Sequence, residues 1–174
     1  MEFWEELVRK FSVAFIEGDR WKLYLQGMGV TLQLTVIALV IGIILGVVVA
    51  VIRTAHDQQR LGHRNIGLGI LNALCKIYTT VIRGTPMMVQ LLIWGFVIFK
   101  TSRDHTMVGI IGLGINSGAY VAEIIRGGLM SLDPGQMEAG RSLGLGYLDT
   151  MRFIVVPQAF KAILPSLGNE FITL

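Results

Sequence analysis

Long apolar runs separated by short polar stretches set the pattern of this chain. Residues 23–52 carry no charged side chain. At about 1.5 Å per residue, a helix of that length exceeds the roughly 30 Å hydrocarbon core of a bilayer, so the run predicts a membrane-spanning helix. Residues 65–99 carry only Lys76 and Arg83, and residues 106–129 begin with a charge-free, glycine-rich run. These two stretches predict a second and a third spanning segment.

The second segment is longer than a straight span requires, and it contains Arg83, Gly84, Thr85 and Pro86 in succession. Glycine loosens a helical backbone and proline removes a hydrogen-bond donor. We therefore expect a break near residues 83–86, where carbonyl groups become free to bind something polar. The alternative is a simple proline kink in which helix ends or lipid headgroups hold the arginine.

Residues 1–22 follow a different pattern, in which apolar residues recur at helical spacing and charged residues lie opposite them. This amphipathic pattern predicts a helix lying along the membrane surface, with docking of a partner as the alternative. The acidic residues of this stretch argue against a secretory signal peptide, which begins with basic residues. The apolar stripe comprises Phe3, Trp4, Leu7, Val8, Phe11, Ala14 and Phe15.

Composition agrees with a membrane protein. Of the 174 residues, 53% are hydrophobic and 16% are charged, whereas soluble domains have about 25% charged residues. We therefore predict an all-α, polytopic membrane protein. The single cysteine, Cys75, excludes an internal disulfide and offers no metal-ligand spacing, so we interpret it as a packing residue and expect no metal site. The net charge of +3 is modest and does not indicate nucleic-acid binding.

The polar stretch over residues 53–65 sets the predicted topology. Its three arginines face a single acidic residue, Asp57, so the positive-inside rule places it in the cytoplasm and the N-terminus outside. We expect its two histidines to be solvated loop residues and not metal ligands. The basic residues and histidines concerned are Arg53, Arg60, Arg64, His56 and His63.

A hydrophilic stretch over residues 131–157 precedes a last apolar run over residues 158–174. The stretch is too polar to span a bilayer. With the N-terminus outside, three spanning segments bring it out in the cytoplasm. The last run has about half the length of a span, so we expect it to be an incomplete fourth spanning helix.

Within residues 131–157 we predict a helix, a bend and a second helix. Asp133 followed by Pro134 supplies a side-chain acceptor and a fixed φ, which is typical of a helix start. Gly144, with a second glycine two residues later, permits the bend. The second helix is expected to begin at about Asp149 and to stop at Pro157.

The third segment carries polar residues whose roles can be predicted from their spacing. Glu123 and Arg126 lie three residues apart on one helical face, and we predict a structural ion pair between them. Asn116 could line a polar path, although a hydrogen bond between helices explains it equally well.

The hydrophilic stretch over residues 131–157 also carries a motif. Glu138-Ala139-Gly140 is followed by three residues, Gly144, nine residues, Ile154, one residue and Val156-Pro157. This spacing resembles the EAA loop of the membrane subunits of ABC importers, in which it reads E-A-A, G, I, L-P. Two positions depart from that pattern, because Gly140 replaces an alanine and Val156 replaces a leucine. Both replacements exchange small or aliphatic residues and leave the resemblance intact.

Two further segments resemble the polar amino-acid subfamily of these permeases. IYTTVIRGTPMMVQLL is similar to its second helix, and AYVAEIIRGGLMSLDPGQMEAGRSLG to the region ending in its EAA loop. The resemblance covers about residues 24–174 and implies the type I ABC importer bundle of five core helices. About four of them are present here and the fourth is incomplete, so the chain looks truncated at its C-terminus.

The resemblance implies partners and roles. The partners are a dimer of ATPase subunits, a second permease subunit identical or related to this one, an external substrate-binding protein, an amino-acid substrate and the lipid of a prokaryotic inner membrane. A short helix over residues 134–143 would seat in the ATPase and transmit its closure. The stretch over residues 131–157 is therefore called the coupling loop below. The residues implied in this coupling are Glu138, Ala139, Arg141, Gly144, Ile154 and Pro157.

For the substrate path we single out Arg83 and Thr85 in the second segment with Asn169 and Glu170 in the fourth, which resembles the family's segment after its EAA loop. A zwitterionic amino acid needs an acceptor for its ammonium group and donors for its carboxylate, and these side chains supply both. Glu170 would favour a cationic amino acid. Alternatively, Asn169 and Glu170 only satisfy neighbouring helices.

Several kinds of site are missing from the sequence. It has no G-x-x-x-x-G-K-[S/T] loop, no complete dinucleotide fingerprint, no H-E-x-x-H and no nucleophile elbow. We therefore expect no enzymatic activity and no cofactor in this chain, with ATP and magnesium bound by the partner ATPase. Two other classes remain open, a secondary transporter or channel independent of ATP and a membrane-anchoring subunit. Neither requires the coupling loop, and we find no inverted repeat.

Overall fold

The computed structural model describes residues 2–57, 59 and 65–174, and within these residues the regular structure is helical throughout. The all-α prediction is confirmed. The helices described are α1 (Glu2–Phe11), α2 (Arg20–Asp57), α3 (Ile66–Gly84), α4 (Met87–Ile93), α5 (His105–Met130), α6 (Gly135–Ser142), α7 (Tyr147–Thr150) and α8 (Val156–Thr173).

Short turns of other pitch connect or extend these helices. A wide π turn over Ser12–Ile16 and a 3₁₀ turn over Glu17–Asp19 join α1 to α2. A second π turn, Trp94–Ile98, continues α4, and a third, Met151–Val155, joins α7 to α8. Helical turns therefore bridge two of the junctions, α1 to α2 and α7 to α8, and the first of these bends at Gly18, whose φ is +65°.

Among the residues that the structure describes, three helical stretches are long and apolar enough to cross a membrane, namely Phe3–Asp57, Ile66–Gly84 and His105–Met130, and Met87–Ile98 forms a shorter apolar stretch. α2 extends five residues beyond residues 23–52, so Arg53 and His56 lie on a helix and not in a loop. The helix continues through these residues because their side chains contact polar groups on neighbouring helices. Arg60, His63 and Arg64 lie outside the described residues.

α2 and α5 pack backbone to backbone through small residues. A Cβ atom added at Gly42 would come within 2.6 Å of Ser117 Oγ, and one added at Gly46 would come within 2.6 Å of Val121 Cγ1. In the opposite direction, Gly114 of α5 lies against Ile41 of α2. Glycine pairs four residues apart on both helices thus permit an approach that larger residues would prevent.

α3 and α8 complete the bundle around α5. Cys75 of α3 is buried with Val49 and Ala122, so it packs as predicted, and the Tyr78 hydroxyl donates to the Ile115 carbonyl at 2.5 Å. On the other side, Ile163 of α8 packs against the backbone of α5 at Gly128. α5 consequently lies at the centre, with α2, α3 and α8 around it.

The N-terminal region keeps its apolar stripe uncovered. Phe3 and Trp4 are exposed, while the Phe11 and Phe15 rings lie 4.9 Å apart and the Phe15 and Tyr24 rings 5.0 Å apart. These ring contacts attach the end of the amphipathic region to the start of α2.

The predicted stop at Pro157 is wrong. Pro157 lies in the first turn of α8, which follows the π turn directly. The Val156 amide donates to the Met151 carbonyl in the wider i to i−5 pattern. Because the first turn of a helix does not need the missing proline N–H, the chain passes the proline without ending.

Candidate functional site

The coupling loop begins with a side-chain cap. Asp133 Oδ1 accepts a hydrogen bond from the Gly135 amide at 2.8 Å, and the amide of Glu138 donates to the Pro134 carbonyl at 3.3 Å. The acidic-proline pair thus starts α6 in the manner expected of a helix N-terminus. At its other face, Gln158 Nε2 donates to Gln136 Oε1 at 2.9 Å and ties α6 to α8.

α6 packs directly on the turn that follows it. A Cβ atom at Gly140 would lie 2.5 Å from Thr150 Cγ2 and 3.1 Å from Ile154 Cδ1, and Thr150 is fully buried. The Thr150 hydroxyl donates to the Gly146 carbonyl at 2.9 Å. The glycine that replaces alanine in the motif therefore has a physical reason, since threonine fills the space that an alanine methyl would need.

The bend between α6 and α7 depends on Gly144. Its φ is +85°, in the left-handed region that residues with a Cβ resist. Its amide donates to the Arg141 carbonyl at 3.0 Å, and the Leu145 amide returns to the Gly140 carbonyl at 3.2 Å. These bonds close the C-terminus of α6 and reverse the chain.

The outer surface of the coupling loop is open. Leu143 is 80% exposed and Leu148 is 78% exposed, although both are large apolar residues. The predicted coupling residues divide between this surface and the packing below it. Glu138, Ala139, Arg141, Gly144 and Pro157 are exposed, whereas Ile154 is half-buried against α6.

The chain also breaks between α3 and α4, and Gln90 holds the two ends together. Its Nε2 donates to the Ile82 carbonyl at 2.7 Å, the Thr85 carbonyl at 3.0 Å and the Thr85 hydroxyl at 2.7 Å. Its Oε1 accepts from Asn116 Nδ2 at 3.1 Å. The carbonyl groups freed at the break are therefore satisfied by a buried side chain that is itself anchored to α5.

A polar cavity of about 420 Å³ lies between α5 and α8, at the start of α4. Glu170 lies in its wall, is 9% exposed and has no cation within ion-pair distance among the described residues. We call this space the acidic cavity. It is lined by Met87, Asn116, Tyr120, Ile124, Ser166, Asn169, Glu170, Thr173 and Leu174.

A second space, of about 410 Å³, lies between α2, α3 and α5. We call it the cationic groove because three of its side chains are basic and one is acidic. The Arg83 guanidinium stacks over the Tyr120 ring at 5.2 Å. The lining residues are Arg53, Lys76, Thr79, Thr80, Arg83, Gly84, Tyr120 and Glu123.

The four residues predicted for a substrate path are not brought to one place. Asn169 and Glu170 line the acidic cavity and Arg83 lines the cationic groove. Thr85 lies at the break, where its hydroxyl donates to the Val81 carbonyl at 3.0 Å. Asn116 makes the predicted hydrogen bond between helices and also lines the acidic cavity.

Glu123 has more partners than the sequence indicates. Arg126 Nε lies 3.4 Å from Glu123 Oε2, which gives the predicted ion pair, but Arg53 of α2 makes a closer contact with the same carboxylate. Arg126 also approaches Asp57 at 3.6 Å. Opposite charges thus join the polar ends of α2 and α5, where each partner neutralises the other.

Sequence reasoning missed Gln90, Tyr120 and the role of Arg53. Gln90 is the one polar side chain in the apolar run after Pro86, and that isolation was a usable signal. Tyr120 was detectable because it lies at i+4 from Asn116 and i−3 from Glu123, on one face of α5. Arg53 could not be identified because its partner is distant in sequence.

Comparison with known proteins identifies the family. Residues 66–174 match the family described as "Binding-protein-dependent transport system inner membrane component". The chain belongs to this family. The matched part of this inner membrane component includes α3 to α8. It therefore contains the break between α3 and α4, the coupling loop, and the residues of α5 that line the acidic cavity and the cationic groove.

Relatives of this inner membrane component have related names. It is 36% identical to the arginine transport system permease protein ArtQ of Bacillus subtilis (strain 168), over 86% of this chain and 65% of the relative. It is 35% identical to the glutamine transport system permease protein GlnP of Escherichia coli (strain K12), over 86% of this chain and 65% of the relative. With the arginine transport system permease protein ArgU of Corynebacterium glutamicum it is 32% identical, over 83% of this chain and 47% of the relative.

A solved structure has the same fold. The crystal structure of an amino acid ABC transporter with histidines matches with a TM-score of 0.74 and 41% identity, over 87% of this chain and 67% of the other. Among the curated relatives named above, this inner membrane component spans about half to two thirds of the full length.

Proposed function

We propose that this chain forms the membrane-spanning permease part of an ATP-driven importer of amino acids, and that the coupling loop connects it to the ATPase. The observation that carries the proposal is the compact α6–α7 unit, in which Gly140 lies against Thr150 and exposed Leu143 and Leu148 face outward. An unsupported polar loop could not transmit force. A helix fixed to the start of α8 could, because its displacement would move that helix.

The proposal assigns ATP hydrolysis to a separate subunit, which would bind ATP and magnesium. In this chain, Glu138 and Arg141 are exposed on α6 and make no hydrogen bond or ion pair with another described side chain. They are available for polar contacts with an ATPase groove, while the leucines supply apolar contact. A second permease subunit and an external substrate-binding protein would complete the assembly.

The orientation follows from the position of this loop. An ATPase meets its membrane partner in the cytoplasm, so the coupling loop would lie there. Three spanning segments then place the N-terminus outside the inner membrane, in agreement with the excess of arginine over residues 53–65.

The proposed substrate site is the acidic cavity. Glu170 would accept the ammonium group of the amino acid, and the amide of Asn169 would bind a polar group beside it. We expect Glu170→Gln to shift preference away from cationic amino acids, because it removes the charge and keeps the shape. Competition of L-arginine and L-glutamine for uptake measures this preference, and an unchanged ratio would remove Glu170 from the site.

The coupling role is tested by co-purification. The full-length permease is extracted in detergent with the ATPase co-expressed, and the amount of ATPase retained is measured. Glu138→Arg is expected to lose most of the ATPase, because it reverses the charge on the exposed face of α6. Glu17→Arg, an exposed charge reversal near the N-terminus, is the matched control and should retain it.

Transport itself is tested in proteoliposomes. The complete complex should accumulate L-arginine or L-glutamine only when ATP and the substrate-binding protein are supplied. Accumulation without ATP would favour a secondary transporter, and ATPase activity that no amino acid stimulates would favour a structural role.

A further inference from the structure

One polar stripe on α5 connects the two cavities. Asn116, Tyr120 and Glu123 are spaced i, i+4 and i+7, which places them on one helical face over about 10 Å. Asn116 lines the acidic cavity, Glu123 lines the cationic groove, and Tyr120 lines both. The Tyr120 side chain is therefore the partition between two adjacent polar spaces.

The two spaces carry opposite charge. In the cationic groove, Glu123 is paired with Arg53 and Arg126. Lys76 and Arg83 have no carboxylate within ion-pair distance among the residues that the structure describes. Together with Thr80 they occupy positions i, i+4 and i+7 of α3, so one helical face presents two cations and a hydroxyl.

Unpaired cations in a spanning helix need a partner. A charged group in a membrane is costly unless it faces a polar cavity or binds an opposite charge, and such residues commonly mark the path of a substrate. The guanidinium of Arg83 stacks over Tyr120, which offers a weak attraction that a carboxylate could replace. The lack of an ion-pair partner and the weak stacking of Arg83 on Tyr120 both favour an anionic group as the occupant of the groove.

We propose that the cationic groove is a second binding position on the translocation path, in which Lys76 and Arg83 take the carboxylate group of an amino acid after it passes Tyr120. The inference rests on the proposed function and adds a position and a partition to it. An amino acid would first be held by its ammonium group at Glu170. Arg83 would then exchange the Tyr120 ring for the carboxylate, which releases the ring and opens the partition.

The charge of each space can be measured without transport. In the complete complex with Cys75→Ala, a cysteine is introduced as Thr80→Cys in the groove or as Ser166→Cys in the acidic cavity. Each is treated with an anionic and a cationic methanethiosulfonate reagent. The ratio of anionic to cationic reaction rates should be about tenfold higher at position 80 than at position 166. Equal ratios would overturn the proposal.

Occupancy by a carboxylate is tested by protection. L-arginine should slow the labelling of Thr80→Cys, whereas agmatine, which lacks the carboxylate, should not. The combination Lys76→Gln with Arg83→Gln should abolish that protection, and Arg103→Gln, which removes an exposed cation outside the groove, should leave it. Equal protection by both compounds, or none by L-arginine in a complex that imports it, would overturn the proposal.

Uptake separates this inference from the proposed function. If the wild-type complex shows ATP-dependent uptake and the double variant, present in the membrane at normal amount, transports L-arginine with unchanged KM and kcat, the groove is not on the path and the proposed function stands. If the wild-type complex transports neither L-arginine nor L-glutamine with ATP, both the proposed function and this inference fail. Raised KM in the double variant, with Arg83→Lys close to wild type, supports the groove.

Discussion

At the scale of single residues, Gly140 and Thr150 show how a departure from a motif becomes a packing feature. Thr150 occupies the space beside Gly140, with its methyl closest and its hydroxyl bonded to the Gly146 carbonyl. The two positions are therefore coupled, and a change at one alters the cost of a change at the other.

We expect Gly140→Ala to destabilise the folded permease by about 1–3 kcal/mol, as overpacking commonly does. Thr150→Ser removes the nearest methyl and keeps the hydroxyl, so the double variant should recover part of the loss. Thermal unfolding of the purified complex measures both effects. Additive losses in the double variant would show that the two residues do not compete for space.

A second residue-scale prediction concerns Gly144, whose Cβ position is open but whose φ is positive. Gly144→Val should leave the protein inserted but uncoupled, because a left-handed conformation costs a residue with a Cβ about 1–2 kcal/mol and the bend would relax. Gly144→Asn should be milder, since asparagine tolerates this conformation. The measurement is the amount of substrate transported per ATP hydrolysed.

The control for this prediction is Gly146→Ala. Gly146 has a φ of −64°, and an added Cβ would make only an ordinary contact with Asp149. Normal transport by Gly144→Val would contradict a coupling role for the bend.

At the scale of elements, the junction of α3 and α4 depends on one side chain. Gln90 satisfies carbonyl groups at the end of α3 and binds Asn116 of α5. We expect Gln90→Leu to lower the free energy of unfolding by about 1–3 kcal/mol for each buried polar group left unpaired. Gln33→Leu, an exposed position on α2, is the matched control. Equal thermal stability of the two variants would contradict this role of Gln90.

The same junction shows what the sequence could and could not predict. Gly84 and Pro86 indicate a break because their backbone chemistry is local, and α3 ends at Gly84 while α4 begins at Met87. Gln90, which binds the freed carbonyl groups, is also local and stands out as a polar residue in an apolar run. What the sequence could not predict is its hydrogen bond with Asn116, because that bond joins residues far apart in the sequence.

A long-range ion pair explains where α2 ends, and a local π turn explains where α8 begins. The charge of Arg53 suggested a loop, but a helix can continue through an arginine when Glu123 of another helix neutralises it. Pro157 suggested a stop, but a π turn placed it in the first turn of α8. Hydrophobic pattern and motif spacing therefore predict helices and the bend, whereas contacts between helices decide where helices end.

At the scale of the whole molecule, the proposed topology can be tested with two single cysteines in a Cys75→Ala background. Thr101→Cys lies between α4 and α5, and Ser142→Cys lies in the coupling loop. An impermeant maleimide applied to intact cells, with the outer membrane permeabilised where one is present, should label position 101. It should label position 142 only after the inner membrane is disrupted. The reverse pattern would place the N-terminus inside.

The glycine contacts between α2 and α5 have a consequence for motion. At Gly42 and Gly46, α2 contributes no side chain, and Ser117 and Val121 of α5 fill the space beside its backbone, so neither helix can slide without a clash. We expect the pair to behave as a rigid wall. α3 and α4 contact these two helices less extensively, through the buried Cys75 and through hydrogen bonds such as Tyr78 to Ile115 and Asn116 to Gln90. Alternating access would then be a movement of α3 and α4 relative to the rigid pair of α2 and α5.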